Sequence, residues 1–199
     1  MSATATLAVP APQRPPRHRW TVTEFNRMGD MGWFEGKRAF LLDGEILENG
    51  PMDPPHAIAL ELLTETLRAA FGPGWRFRVQ MPLHVDQHND PFPGLAVIAG
   101  TPRGVTTHPT TAPLVAEVAD SSLAIDTTEK AERYATAAVA DYWVLDVVGR
   151  QLHVFRDPQP LPAGLGATAY KTHLTLGPSD LVSALAAPQA SILVSDLLP

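Results

Sequence analysis

Cysteine is absent from this 199-residue sequence. Its absence excludes disulfides, thiolate metal sites and cysteine nucleophiles, so any metal must be held by oxygen or imidazole ligands. Long apolar runs are also missing, and a membrane-spanning helix would need about 18 to 20 apolar residues in succession. We therefore expect a cytoplasmic protein that does not contact a membrane.

The sequence also has fewer basic residues than acidic ones. Fifteen Lys and Arg residues stand against 21 Asp and Glu residues, which gives a net charge of −6. This balance argues against broad electrostatic attraction to nucleic acid, because non-specific affinity depends on neutralising phosphates. The basic residues near the start of the chain could still form a local patch that contacts nucleic acid, or they could belong to a solvated tail. These residues are Arg14, Arg17, Arg19, Arg27, Lys37 and Arg38.

The composition favours a folded domain with a short tail. Hydrophobic residues make up 45% of the chain and charged residues 18%, which is typical of globular proteins. Residues 1–19 carry four prolines without apolar periodicity, so they should form an extended or disordered Pro/Arg-rich tail. We predict one domain over residues 20–199.

Local patterns predict alternating helices and strands. Thr21 or Thr23 can cap a short helix, Asp43-Gly44 is a strong signal for a tight hairpin, and residues 56–72 have helical spacing. Three strands are expected within 76–87, 94–100 and 113–120, followed by a helix with Asp126 as its N-cap. A further strand pair should turn at Gly149-Arg150. The fold class is therefore α/β, with a mixed sheet flanked by helices.

One carboxylate and one lysine are candidates for catalysis. Glu117 lies within the apolar run LVAEVA, where a carboxylate is costly unless it is hydrogen-bonded, paired or bound to a metal. Lys130 follows on the next helix and could orient or activate a water molecule. The alternatives are a structural or solvent-facing glutamate and an ordinary exposed lysine that pairs with neighbouring acids.

Other patterns are open to two interpretations. His84, Asp86 and His88 would share one face of a strand and could bind zinc, but the same alternation is typical of the wet face of an edge strand. His56 could line a pocket or simply begin a helix. The aromatic residues in YWVLD, residues 142–146, could stack on bases or fill the core.

Successive blocks of the chain resemble the Uma2 family. These are LLDGEI, a following PxHAxxxxxL helix, a PxLAVI strand, LVAEVADSS, DTTEKAERYATAAVADYWVLD and QLHVFRD. The resemblance covers about residues 20–199. It implies a restriction endonuclease-like PD-(D/E)XK core, frequent homodimers, DNA as partner, and DNA cleavage that depends on Mg²⁺ or Mn²⁺.

The resemblance assigns roles to particular residues, and the chain departs from the family pattern at two positions. Glu117 matches the family's metal-binding strand glutamate, and Lys130 matches its catalytic lysine. The family's Pro-Asp, whose aspartate is the main metal ligand, falls at Pro93-Gly94, and Phe40 stands where the family has a glutamate. Asp90 is the one nearby acid that could substitute as a metal ligand. A single glutamate is a poor Mg²⁺ site, since hard cations need several oxygen ligands.

Three functions follow as hypotheses. The first is a restriction endonuclease-like protein whose ancestral activity is Mg²⁺-dependent hydrolysis of DNA and whose site is degenerate. The second is a catalytically inactive DNA- or protein-binding module of the same fold. The third is a metal-binding protein that uses His84, Asp86 and His88.

Overall fold

The computed structural model describes residues 15–103, 106–160 and 168–199. Its helices and strands alternate along the chain, as the sequence predicts. In order they are α1 (Val22–Asp30), β1 (Ala39–Leu42), β2 (Glu45–Glu48), α2 (Pro54–Phe71), β3 (Trp75–Val79), β4 (Leu95–Ala99), β5 (Leu114–Ala119), α3 (Leu123–Thr127), α4 (Glu129–Thr136), β6 (Asp141–Asp146), β7 (Gln151–Pro160), β8 (Thr168–Leu176), β9 (Leu181–Val182), β10 (Ile192–Leu193) and a final 3-10 helix (Val194–Leu197).

A six-stranded sheet forms the centre, with its strands in the order β3-β4-β5-β6-β7-β8. Strands β5 and β6 are parallel and the other neighbours are antiparallel, so the sheet is mixed, as predicted. Every residue of β5 and β6 is buried. Continuous burial is what a strand covered on both faces requires, and it explains why these segments are apolar runs.

Helices cover both faces of the sheet. On one face, Leu63 and Leu67 of α2 pack with Trp143 and the C-terminal residues. On the other face, Ala131 and Tyr134 of α4 pack with Tyr142, Val144 and Phe155. The aromatic residues of YWVLD are therefore core residues, since Tyr142 and Trp143 have no exposed surface.

The hairpin β1–β2 lies outside the main sheet and turns at Asp43-Gly44, as predicted. Both turn residues have positive φ, 51° and 75°, which is the geometry that Asp-Gly favours. The Arg133 guanidinium on α4 holds the turn with Nε 2.8 Å and Nη2 2.9 Å from the two Asp43 carboxylate oxygens. This clamp fixes the hairpin beside α4.

Several helix and strand ends follow the sequence signals. Thr21 caps α1 in a capping box with Glu24, and Gly72 ends α2. The turn after β6 includes Arg150 with positive φ, as expected for Gly149-Arg150.

Two expectations were wrong. The strand predicted over 76–87 ends at Val79, because Gln80 has a φ of 50° that breaks the extended backbone. Asp126 is not the cap of the lysine-bearing helix but lies inside the short helix α3, with Thr128 between α3 and α4.

Residues 15–19 of the predicted tail have no helix or strand, and residues 1–14 lie outside the described residues. Among the residues that the structure describes, no helix combines the length and apolar character needed to span a membrane.

Candidate functional site

A cleft of about 390 Å³ lies among the β1–β2 hairpin, the start of α2 and the helix α4. The predicted catalytic residues Glu117 and Lys130 both line it, so the fold brings them together as expected. Gly94 and Phe40, the two departures from the family pattern, line the same cleft.

Glu117 reaches the cleft from the middle of β5 and is only 4% exposed. Its Oε1 accepts hydrogen bonds from Lys130 Nζ at 3.1 Å and from Tyr134 Oη at 2.8 Å. Its Oε2 accepts the Gly94 backbone N–H at 3.0 Å. These donors satisfy the buried carboxylate, and Glu117 is therefore neither solvent-facing nor unpartnered.

Lys130 lies between two carboxylates. Its Nζ is 2.7 Å from Asp126 Oδ1, one turn earlier, and 3.1 Å from Glu117 Oε1. Ser122 donates its hydroxyl proton to the other oxygen of Asp126. The exposed-lysine interpretation is wrong, because only 9% of the Lys130 side chain is exposed.

The electrostatics of this cluster oppose acid–base exchange. The two carboxylates raise the pKa of Lys130 despite the opposing effect of its burial, so the ammonium keeps its proton near pH 7. Burial raises the pKa of Glu117, and the neighbouring Asp126 carboxylate raises it further, while Lys130 opposes both effects. Burial and Glu117 also raise the pKa of Tyr134 well above its usual value, so its hydroxyl remains a hydrogen-bond donor.

Gly94 packs closely against β5. A Cβ added there would lie 3.1 Å from the Ala116 carbonyl oxygen and 3.4 Å from the Val118 nitrogen. The residue thus offers Glu117 a backbone N–H in place of a metal-binding side chain. Phe40 also supplies no ligand, since its ring centroid lies 5.7 Å from Lys130 Nζ in a cation–π arrangement.

The donor set does not fit a divalent metal. Mg²⁺ prefers six oxygen ligands in octahedral geometry, usually with more than one carboxylate or with substrate phosphates. Here Glu117 already accepts three hydrogen bonds, and Asp126 is held by Lys130 and Ser122. Across residues 15–103, 106–160 and 168–199, no group of three His, Cys, Asp or Glu side chains could hold a metal ion.

Asp90, the predicted substitute ligand, does not join Glu117. Its backbone N–H bonds to Leu41 O beside the hairpin, and the residue is absent from the lining of the cleft. Its Oδ1 lies 3.8 Å from His84 Nδ1 and is buried without a hydrogen bond. Burial raises the pKa of Asp90, with His84 and His108 opposing this effect.

The predicted zinc pattern does not converge either. Asp86 Oδ1 accepts the His88 and Asn89 N–H groups within a turn, and His88 Nδ1 contacts the Trp20 carbonyl oxygen at 2.8 Å. With no strand at this point, His84, Asp86 and His88 do not share one face. The metal-binding hypothesis for these three residues was wrong, in line with the absence of a metal cluster in the described part of the chain.

Three of the basic residues near the start of the chain are paired. Arg17 pairs with Glu45, Arg19 with Asp43, and Lys37 with Glu48.

Arg38 differs from these residues because it lines the cleft, and no carboxylate of the described residues lies within 4.0 Å of its guanidinium group. His56 lines the cleft as well, and its backbone N–H bonds to the Asp53 cap at the start of α2. His56 thus lines the cleft, whereas α2 begins two residues earlier, at Pro54. Burial lowers the pKa of His56.

Sequence patterns did not reveal two members of the cluster, Asp126 and Tyr134. The signal was present in their spacing, because Asp126, Lys130 and Tyr134 recur every four residues, which places side chains on one face of a continuous helix. Asp126 has the residue type of a helix cap, and its assignment as the N-cap concealed its place beside Lys130.

Comparisons with known proteins identify a family and a similar fold. The model of the Uma2 family, described as "Putative restriction endonuclease", matches residues 22–193. No curated protein matches the chain. A crystal structure from Anabaena variabilis ATCC 29413, described as a putative nuclease belonging to DUF820, aligns with a TM-score of 0.62 at 13% identity, over 80% of this chain and 88% of that chain. At this identity the match shows the fold alone.

Proposed function

The chain belongs to the Uma2 family, and from this membership we propose that it is a restriction endonuclease-like domain that has lost metal-dependent hydrolysis and acts as a DNA-binding module. The main observation in favour of lost hydrolysis is the 3.0 Å hydrogen bond from the Gly94 N–H to Glu117 Oε2. The Gly94 backbone N–H occupies the position from which a second acidic side chain would have to bind the metal.

The remaining side chains of the cluster do not favour hydrolysis. A general base must accept a proton from water near neutral pH. Lys130 cannot accept one, because the adjacent carboxylates hold it in the ammonium form. The Glu117 carboxylate accepts hydrogen bonds from Lys130, Tyr134 and Gly94, so its oxygens are already used within the internal network.

Arg38 is the proposed phosphate contact. It lies on the cleft rim and, among the described residues, has no carboxylate within 4.0 Å. An arginine guanidinium binds phosphate oxygens with two parallel N–H donors. His56 lies on the same cleft and can add a hydrogen bond. With a net charge of −6, we expect moderate DNA affinity that falls steeply with salt.

The loss of hydrolysis is tested by cleavage of supercoiled plasmid with Mg²⁺ or Mn²⁺. We expect no cutting by the wild-type protein and a gain of Mn²⁺ binding in Gly94→Asp. Gly94→Ala is the matched control, because it adds the same Cβ against β5 without a carboxylate. Metal-dependent cutting by the wild type that disappears in Glu117→Gln would show that the site is a live nuclease, contrary to the proposal.

DNA binding is tested by fluorescence anisotropy with a labelled duplex at several salt concentrations. Arg38→Gln should weaken binding about fivefold, equivalent to about 1 kcal/mol. Arg17→Gln is the control, since that side chain is 88% exposed and already paired with Glu45, and its effect should be small. If the wild type fails to bind DNA at low salt, the DNA assignment is wrong and the inactive protein-binding module takes its place.

The homodimer implied by the family resemblance stays a prediction. Sedimentation equilibrium of the full chain measures it directly. A protein that remains at 21.5 kDa across concentrations would be monomeric.

A further inference from the structure

Two histidines meet on neighbouring strands, at a distance from the cleft. His153 on β7 and His173 on β8 lie on diagonal positions of an antiparallel pair, and the Nδ1 of the first is 3.2 Å from the Nε2 of the second. Thr175, directly opposite His153, places its Oγ1 3.3 Å from the same Nδ1. None of the three residues lines the cleft, so this site is independent of the proposed DNA-binding function.

These separations match the ligand spacing around a transition metal. Zinc–nitrogen bonds of about 2.0–2.1 Å in a tetrahedral arrangement place neighbouring ligand atoms about 3.3 Å apart. His153 Nδ1 already lies at that spacing from His173 Nε2 and from Thr175 Oγ1. An ion would replace the hydrogen bond between the two nitrogens, with the rings turning so that both nitrogens face it.

The surroundings hold the rings in place. The His173 ring stacks on Phe155 with centroids 4.1 Å apart and planes inclined by 8°. His153 is half-buried, and its second ring nitrogen Nε2 is buried without a hydrogen-bond partner among the described residues. Burial lowers the pKa of both histidines, which favours the neutral imidazole that metals bind.

We propose that His153 and His173 form a surface site for a divalent transition metal ion of the Zn²⁺ and Cu²⁺ class, with Thr175 and water completing the coordination. Imidazole suits these metals, whereas Mg²⁺ and Ca²⁺ prefer oxygen ligands. The site has two imidazole ligands and an open outer side, since His173 and Thr175 are exposed.

Calorimetric titration of the tag-free full chain with Zn²⁺ tests the site. We expect binding of one ion, weakened about tenfold or more in His153→Gln and in His173→Gln, since even second-shell changes at metal sites cost that much. Thr175→Val should weaken it less. The control is His18→Gln, which removes a 60%-exposed histidine elsewhere and should leave binding unchanged.

Electron paramagnetic resonance with Cu²⁺ gives a second readout. The spectrum should show coupling to two nitrogens in the wild type and to one in each single histidine variant, with Mg²⁺ failing to compete. Equal Zn²⁺ binding by the wild type and the folded double variant His153→Gln/His173→Gln would overturn the proposal. Absence of Zn²⁺ binding to the wild type would also overturn it and leave the pair as an imidazole–imidazole hydrogen bond.

Discussion

The ammonium of Lys130 lies 2.7 Å from the Asp126 carboxylate, one helical turn away, and only 1% of the Asp126 side chain is exposed. The same ammonium contacts Glu117 on β5. One internal cation thus bridges the helix and the sheet at the floor of the cleft. Buried carboxylates need such a partner, because leaving them unpaired in the interior is costly.

Lys130→Met should strongly destabilise the protein. Removing one partner of a buried ion pair typically costs about 3–5 kcal/mol, because the remaining charges are uncompensated. Urea unfolding at pH 7.5 measures the loss. Because the folded pKa of Lys130 is raised, its charge stabilises the fold wherever its carboxylate partners are ionised and the pH is below its unfolded pKa near 10.5, and this contribution is lost at higher pH.

The pH dependence distinguishes lost charge from lost packing. Burial already raises the folded pKa of Glu117 and Lys130 opposes this effect. Without Lys130 that pKa should rise further, so the defect should shrink as pH falls toward about 4. The triple variant Glu117→Gln/Asp126→Asn/Lys130→Met should regain part of the stability. A defect of constant size across pH would contradict an electrostatic role.

Asp90→Asn should stabilise the protein at pH 7 by about 1 kcal/mol, because a buried carboxylate whose Oδ1 has no hydrogen bond is replaced by a neutral side chain of the same shape. Burial raises the folded pKa of Asp90 above 3.8. The folded state therefore binds more protons, and wild-type stability falls as pH rises through the folded pKa. Thermal melts from pH 4 to 8 should show a difference that vanishes at the acidic end; a pH-independent difference would refute this explanation.

Gly44→Ala should destabilise the hairpin by about 1–3 kcal/mol. The residue has a φ of 75°, and an added Cβ would lie 2.8 Å from Arg19 Cβ and 3.0 Å from Arg19 Cα. Gly50→Ala is the matched control, because nothing lies within 4 Å of its added Cβ and its φ is ordinary. Equal unfolding midpoints for the two variants in urea would count against the close approach.

Asp43→Asn should cost about 1 kcal/mol or less, since the pair with Arg133 is partly exposed. Asparagine tolerates the positive φ of this turn position, so the substitution isolates the charge. Asp43→Ala should cost more, because it adds backbone strain at a φ of 51°. Urea unfolding at low and high salt should show a smaller effect of Asp43→Asn at high salt; the reverse trend would contradict the ion pair.

Sequence patterns predicted the elements that local chemistry determines. The Asp43-Gly44 hairpin, the Thr21 capping box and the end of α2 at Gly72 each depend on residues adjacent in the chain, and the structure confirms them. Burial of β5 followed from an unbroken apolar run, and it placed Glu117 in the interior.

Long-range relationships were not predictable in this way. The strand expected over 76–87 fails at Gln80, where the backbone turns to pair with Pro93 and Gly94, residues distant in sequence. Asp90 is drawn toward Leu41 by the hairpin and away from Glu117. Such outcomes depend on tertiary contacts that a single sequence does not display.

The close approach of position 94 to β5 limits which residues this position can carry. An added Cβ would lie 3.1 Å from the Ala116 carbonyl oxygen. Any residue larger than glycine would therefore need β5 to shift by a few tenths of an ångström, so the packing of the sheet itself favours the absence of a side chain beside Glu117.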